Sequence, residues 1–188
     1  MSHYRCIMAF TFASALPTKL KQMKQARPKL KPTLTNSDLL IELLTLIVLI
    51  FLIGHIYITY DTIPESVPTH FNAYGDPDKF GTKDNLLILP AISFVLYLGL
   101  SFINRYPYIY NYPTTITKDN ALKAYTNATK MMRIAKLITV IVFSIISFQT
   151  VETAKGQSNG LGLWFLPVTF IIILAPVFYY LSKSFKFK

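Results

Sequence analysis

The 188-residue chain is 52% hydrophobic and only 15% charged, against about 25% charged in an ordinary soluble domain. A domain of this size still exposes roughly a third of its unfolded surface, so a single soluble core cannot hide that much apolar side chain. The net charge of +10 lies in particular connecting segments rather than along one groove, which argues for membrane orientation and against nucleic acid as a partner.

Residues 1–38 form a basic leader. Seven cations stand before the first apolar run: Arg5, Lys19, Lys21, Lys24, Arg27, Lys29 and Lys31. Cys6 to Leu16 is a short apolar run, and within it Ala13-Ser14-Ala15 has the small-x-small form of a signal-peptide cleavage site. Processing there would force the neighbouring cations across the membrane, so a disordered cytoplasmic leader is the expected state. Cys6 is the only cysteine, and His3, His55 and His70 are far apart. No intrachain disulfide, metal site or cofactor is expected.

Four apolar runs come next, over residues 39–60, 86–103, 134–151 and 161–181. Each has about the 17 to 25 residues that a helix needs to cross roughly 30 Å of hydrocarbon. The predicted fold is an all-α, membrane-spanning four-helix bundle, with a structured extracytoplasmic loop between helices one and two. Pro90, Pro167 and Pro176 are expected to kink or loosen helices.

Counted segment by segment, Lys and Arg alternate as 7, 2, 6, 1 and 3. That alternation fits an even number of crossings with both termini in the cytoplasm. Tyr57, Tyr60 and Trp164 would then lie near the outer interface, and Tyr106, Tyr108, Tyr179 and Tyr180 near the inner one. In the second loop Thr117 can cap a helix beginning at Lys118, with Asp119 near its positive end. Leu122, Tyr125 and Met132 recur at roughly helical spacing. This predicts either a basic amphipathic helix lying on the inner leaflet or an extension of the third span.

The first loop, residues 61–85, is the most distinctive stretch. Pro64 and Pro68 favour an extended entry, and residues 74–78 carry turn chemistry, with Gly75 and Gly81 available for positive φ. Asp76, Asp78 and Gly81 imitate the start of a calcium loop. Phe80 and Leu87 stand where oxygen ligands are required, so an EF-hand is rejected. His70, Asp76 and Asp78 are expected to cap turns rather than bind a metal.

Ile63-Pro64, the run Pro68-Thr69-His70-Phe71-Asn72, then Gly75, Pro77-Asp78, Gly81 and Lys83 resemble the signature of a bacterial membrane family called domain of unknown function 1648. The resemblance continues into Leu86 to Pro90 and into Asn111-Tyr112-Pro113 with Ile116-Thr117, over residues 39–151 in all. The same domain resembles the N-terminal part of SdpI-type immunity proteins, which protect a bacterium from its own secreted peptide toxin. Beyond it, residues 161–188 hold one further span and a basic tail. The resemblance implies a cell-membrane location and a loop motif of Pro64, Pro68, His70, Phe71, Asn72, Gly75, Asp78, Gly81 and Lys83.

Ionisable and amide side chains inside spans are costly and call for a reason. Glu42 can reach the cytoplasmic interface. His55, Gln149 and Glu152 lie near outer helix ends, where they either form a polar cluster across the bundle or reach water. No phosphate loop, His-Glu-x-x-His pair or nucleophile elbow is present, so an enzyme is not expected. Three readings remain: recognition of a secreted peptide or envelope stress through the outer loop, a small permease or transporter subunit, and a module assembling with another membrane protein.

Overall fold

The computed structural model describes residues 27–187. Four α-helices are joined by short connections, in the order α1 (Asn36–Thr59), β1 (Ser66–Phe71), β2 (Pro77–Thr82), α2 (Ile88–Ile103), α3 (Ala121–Ala154) and α4 (Phe165–Ser184). Each helix, taken with its flanking turns, is long and apolar enough to cross a membrane. Their outward faces are apolar: Leu39, Leu43, Ile47, Ile50, Val95, Phe170 and Ile171 are all exposed. Lipid solvates such a surface, whereas water would not.

The all-α expectation is corrected by the first loop, which folds as a two-stranded antiparallel sheet. Alternation of apolar and polar residues is too short there to announce a strand, and the glycines and prolines read equally well as a loop.

The chain breaks and caps obey local chemistry. Thr35 and Asp38 close a capping box at the start of α1: each side chain accepts from the other residue's backbone N–H, at 3.3 and 2.9 Å. This satisfies two of the orphan donors of a helix start. α2 has only 16 residues, about 24 Å, but a 3-10 turn over Lys83–Leu87 adds roughly 10 Å. Pro90 and Pro167 fall in the first turn of α2 and α4, where no intrahelical N–H is needed, so neither kinks its helix. Pro176 alone of the three lies inside a helix. Residues Leu161 to Trp164, expected within the fourth span, belong to the loop before it.

α3 is the element against which α1, α2, α4 and β1 all pack. Its 34 residues span about 51 Å, well beyond the hydrocarbon. The second loop therefore ends in an extension of the third span rather than in a separate helix. Thr117 does not cap a helix beginning at Lys118: the helix begins at Ala121 with Asn120 at its N-cap, and Thr117 braces the turn before it. Its hydroxyl accepts from Asn120 N–H, Asn120 Oδ1 accepts from Thr117 N–H, and Ala121 N–H already donates to the Thr117 carbonyl. The buried face is Ala121, Ala124, Tyr125 and Ala128, while Leu122 is exposed.

That face carries a small satellite core with Tyr108, Tyr112, Ile116 and Phe187. The end of the leader joins it. Arg27 donates to the carbonyls of Tyr108 and Tyr110 and lies over the Tyr112 ring, and Tyr125 donates to the Pro28 carbonyl. Asn120 donates to the Phe187 carbonyl. Both described ends of the chain thus lie at one end of the bundle, and residues 27–35 are ordered against it rather than free. Burial pushes the Tyr110 phenol up to about 12 and raises that of Tyr112 as well, so both act as neutral hydroxyls in this cap. The signal-peptide reading of residues 6–16 falls outside the described residues.

Within the spans, α1 presents Thr45, Leu49, Leu52 and Ile56 inward at helical spacing. Ser93, Ser144 and Ser147 are buried between helices, where small side chains allow close approach. The hydroxyls of Thr45, Ser144 and Thr150 donate to carbonyls of their own helices.

Charge is also buried there. Lys136, 1% exposed, places Nζ 2.6 Å from Glu42 Oε2 and 2.7 Å from Ser101 Oγ, with the Tyr97 ring centroid 4.6 Å away. Arg133 sits beside the same carboxylate, Nε to Oε1 3.4 Å, and beside Asp38, 3.5 Å. Glu42 therefore pairs inside the bundle instead of reaching the interface alone. Removing one partner of a buried pair leaves the other charge uncompensated. Lys136→Met is expected to destabilise the bundle by about 3–5 kcal/mol, and Glu42→Leu added to it to recover most of the loss. Thermal melts of both variants in detergent, monitored by circular dichroism, check this.

Candidate functional site

The motif residues converge on the hairpin that crowns one end of the bundle. Its base is buried: Val67 is 0% exposed and joins Leu52, Ile56, Ile63, Leu86 and Val151 in the main core. Pro68 is buried beside it and Pro64, exposed, leads from the turn after α1 into β1. The strands pair from Ser66↔Thr82 to Phe71↔Pro77, with register shifts around Thr69 and Asp78. Such bulges re-aim side chains. Here they put His70 and Asp78 on one face, Nδ1 to Oδ1 2.6 Å, with both side chains exposed. Phe71 is half-buried. Gly81 has no Cβ because Thr69 Cγ2 and the Asn85 amide would lie about 3 Å from it.

Asn72 builds the turn. Its Oδ1 accepts from Tyr74 N–H at 2.8 Å and Asp76 N–H at 3.0 Å, and its backbone pairs with Asp76 and Gly75. A side-chain amide in this position replaces a backbone acceptor, which is why Asn suits turns. At the far side of the hairpin Lys83 pairs with Glu65 at 2.7 Å, donates its N–H to the Glu65 carbonyl and lies over the Tyr60 ring; Tyr60 donates to Asp84.

The tip does not stand free. Gly75, with φ +84°, is buried, and its carbonyl accepts from Leu161 N–H at 2.8 Å. A Cβ on Gly75 would run into the Gly162 backbone, and one on Gly160 (φ +136°) would run into the Gly75 carbonyl. The α3–α4 loop is held in turn by Gln149, whose amide donates to Ser158 Oγ and to the Gly160 carbonyl. Gln149, Gly160 and Gly75 form a chain of contacts from α3 to the hairpin tip.

His55 and Glu152 take other roles. The His55 ring stacks on Phe51 and lies 5.1 Å from Phe148. Glu152 is half-buried, and its carbonyl accepts from Gln157 N–H. No hydrogen bond or ion pair joins His55, Gln149 and Glu152 to one another among the described residues.

The buried group of Asp38, Glu42, Arg133 and Lys136 is absent from the sequence reading as a unit. The signal was available: Arg133 and Lys136 are one helical turn apart, as are Asp38 and Glu42, and opposite charges inside spans tend to pair. Counting both cations only toward the basic charge of the second loop and the start of the third helix hid it.

Both the positive φ and the contact with Gly162 exclude a side chain at position 75. Gly75→Ala is expected to release the tip at a cost of at least about 1 kcal/mol. Amide exchange across residues 66–82 should quicken about fivefold or more, with the helical circular dichroism unchanged; unaltered exchange would show that the docking is dispensable.

Among known proteins, the model for Domain of unknown function (DUF1648) matches residues 45–94. That stretch holds most of α1, the hairpin and the start of α2, and it stops short of the resemblance read at Asn111 to Thr117. An uncharacterized protein of Archaeoglobus fulgidus is 32% identical over 159 residues, covering 77% of this chain and 86% of the relative. No solved structure matches. With the family model falling on the hairpin and its two flanking helices, and the relative extending over most of both chains, this multi-pass membrane protein belongs to the DUF1648 family.

Proposed function

We propose that the protein sits in the cell membrane with both termini in the cytoplasm and uses its hairpin as an extracytoplasmic recognition surface. The partner is a secreted peptide or another envelope protein, as an immunity or envelope-stress role requires. Orientation is supported by the charges. Arg133 and Lys136 are matched by Asp38 and Glu42, yet the end of the bundle that holds both described termini keeps Arg27, Lys29, Lys31, Arg105, Lys118, Lys123, Lys130, Lys183 and Lys186. The hairpin segment has Lys79 and Lys83 against Asp61, Glu65, Asp76, Asp78 and Asp84. Basic loops remain in the cytoplasm.

The observation that carries recognition is the state of β2. β1 packs on α3, whereas β2 is the outer strand of a two-stranded sheet, with Asp78, Lys79 and Phe80 exposed. Its outward backbone edge has no partner strand among the described residues. An extended peptide can add to such an edge, with the main chain giving affinity and side chains giving selectivity. Tyr74 and Phe80, 67% and 60% exposed, offer aromatic contact area beside it. The docked tip reduces the ordering cost of binding.

A permease needs a polar route between the helices. The hydroxyls of Thr45, Ser144 and Thr150 are engaged by their own helices, and the buried charges lie at one end, so the recognition reading has the better support.

Lys79→Cys in a Cys6→Ser background should react with an impermeant maleimide added outside intact cells. Deleting the gene should sensitise cells to at least one secreted peptide of a broad panel. Wild-type protein should restore resistance, and Tyr74→Ala with Phe80→Ala should not. Labelling only after lysis removes the orientation; unchanged sensitivity across the panel removes the peptide role.

A further inference from the structure

At the end of the bundle remote from the hairpin, residues 31–34 and helices α1, α2 and α3 enclose a cavity of about 360 Å³. Three cations meet there: Lys31 ahead of α1, Arg105 just past α2, and Arg133 on α3. Glu42 is the carboxylate in the wall. Counting Lys136 and Asp38 directly behind it, four cations face two carboxylates. The pocket keeps an excess of two positive charges.

Arg133 is the reason to expect a ligand rather than a solvated surface. Its side chain is 9% exposed. A guanidinium has five N–H donors. Among the described residues the only hydrogen bond it makes is that from Nη1 to Asp38, at 3.5 Å. Nε is buried without an aligned acceptor, although Glu42 Oε1 lies 3.4 Å away. Buried donors left unsatisfied are costly, and a fork of this shape is suited to phosphate oxygens. Lys31 and Arg105 are exposed, and their side chains make no hydrogen bond or ion pair among the described residues. Ser101, in the same wall, accepts from Lys136 and keeps its own O–H to donate.

The depth fits a membrane interface. Lys136 is 18 residues from the end of α3 at Ala154, about 27 Å, close to one hydrocarbon thickness. Lys31 and Arg105 lie just outside helices α1 and α2 at the same end. Tyr97 and Leu34 supply apolar wall between the charges and the lipid-facing surface.

We propose that this cavity binds a phosphate group carrying net negative charge, presented by the headgroup of an anionic phospholipid. Arg133, Arg105 and Lys31 surround the phosphate and Ser101 donates to it. Free phosphate shares that chemistry. The site stands apart from whatever the hairpin recognises.

The test uses the full chain purified in detergent, with phosphatidylglycerol, phosphatidylcholine and inorganic phosphate as separate probes, read by native mass spectrometry. Lys31→Gln with Arg105→Gln removes two cations that no fold contact uses. Lys123→Gln with Lys183→Gln removes two from a different basic groove at the same end. Phosphatidylglycerol is expected to bind more tightly than phosphatidylcholine. The first pair should weaken it by about ten- to thirtyfold, and the second pair should leave it unchanged. Binding of inorganic phosphate alone, lost in the first pair, would make the source a soluble anion. Binding of both anions insensitive to the first pair, or weakened equally by both pairs, would overturn the site. An unchanged melting temperature in the first pair excludes unfolding as the cause.

Discussion

The contact between Lys136 and Glu42 is the constraint on which the arrangement of the spans depends. A charge buried between helices has no water to solvate it, so the ammonium and the carboxylate must find each other from different helices. They do so at 2.6 Å, with Ser101 of α2 as a third partner. The contact joins α1, α2 and α3 at one depth and fixes their rotation about their axes. Buried ion pairs are weak evidence for net stability, but a misregistered bundle would leave each member unpaired, and that alternative is heavily penalised. Specificity of packing, rather than raw stability, is what this group supplies. The incomplete pairing of Arg133 is a consequence: the carboxylate nearest to Arg133 is already engaged by Lys136.

At the other end the protein builds a rigid surface from glycine and amide chemistry. Val67 anchors the hairpin in the core, and Gly75 lays its tip on Gly160 and Gly162. Two loops separated by two helices thereby become a single surface. Gln149 reaches that surface from α3, so packing within the bundle and the position of the hairpin tip are linked through one side chain. Among the described residues the outer edge of β2 has no partner strand.

The two ends also differ in chemistry. The hairpin end is mildly acidic and rich in turns, whereas the opposite end is basic and tied together by tyrosines. Arg27 over Tyr112, Lys29 over Tyr108 and the buried hydroxyl of Tyr125 gather the leader, the second loop and the tail around the protruding part of α3. That protrusion is stable because it has a face of its own to bury, not because it lies in a membrane surface. The lysines around it stay outside the satellite core and remain available to anionic groups.

The apolar runs alone determined four helices able to cross a membrane, because that capacity needs only length and composition, both of which are local. The family pattern from Ile63 to Lys83 was legible for the same reason, whereas the Thr35 cap went unread and the start expected at Lys118 fell three residues before the helix at Ala121. Tertiary structure decided the rest. Strand pairing from Ser66 to Thr82 was hidden because its alternating pattern is short and interrupted by two bulges. The length of α3 depended on tyrosines of the connection that precedes it, and the docking of Gly75 depended on glycines 85 and 87 residues further along the chain. The ion pairs joined residues more than 90 positions apart. Charge and periodicity say which residues need a partner; only the packed helices say which partner is within reach.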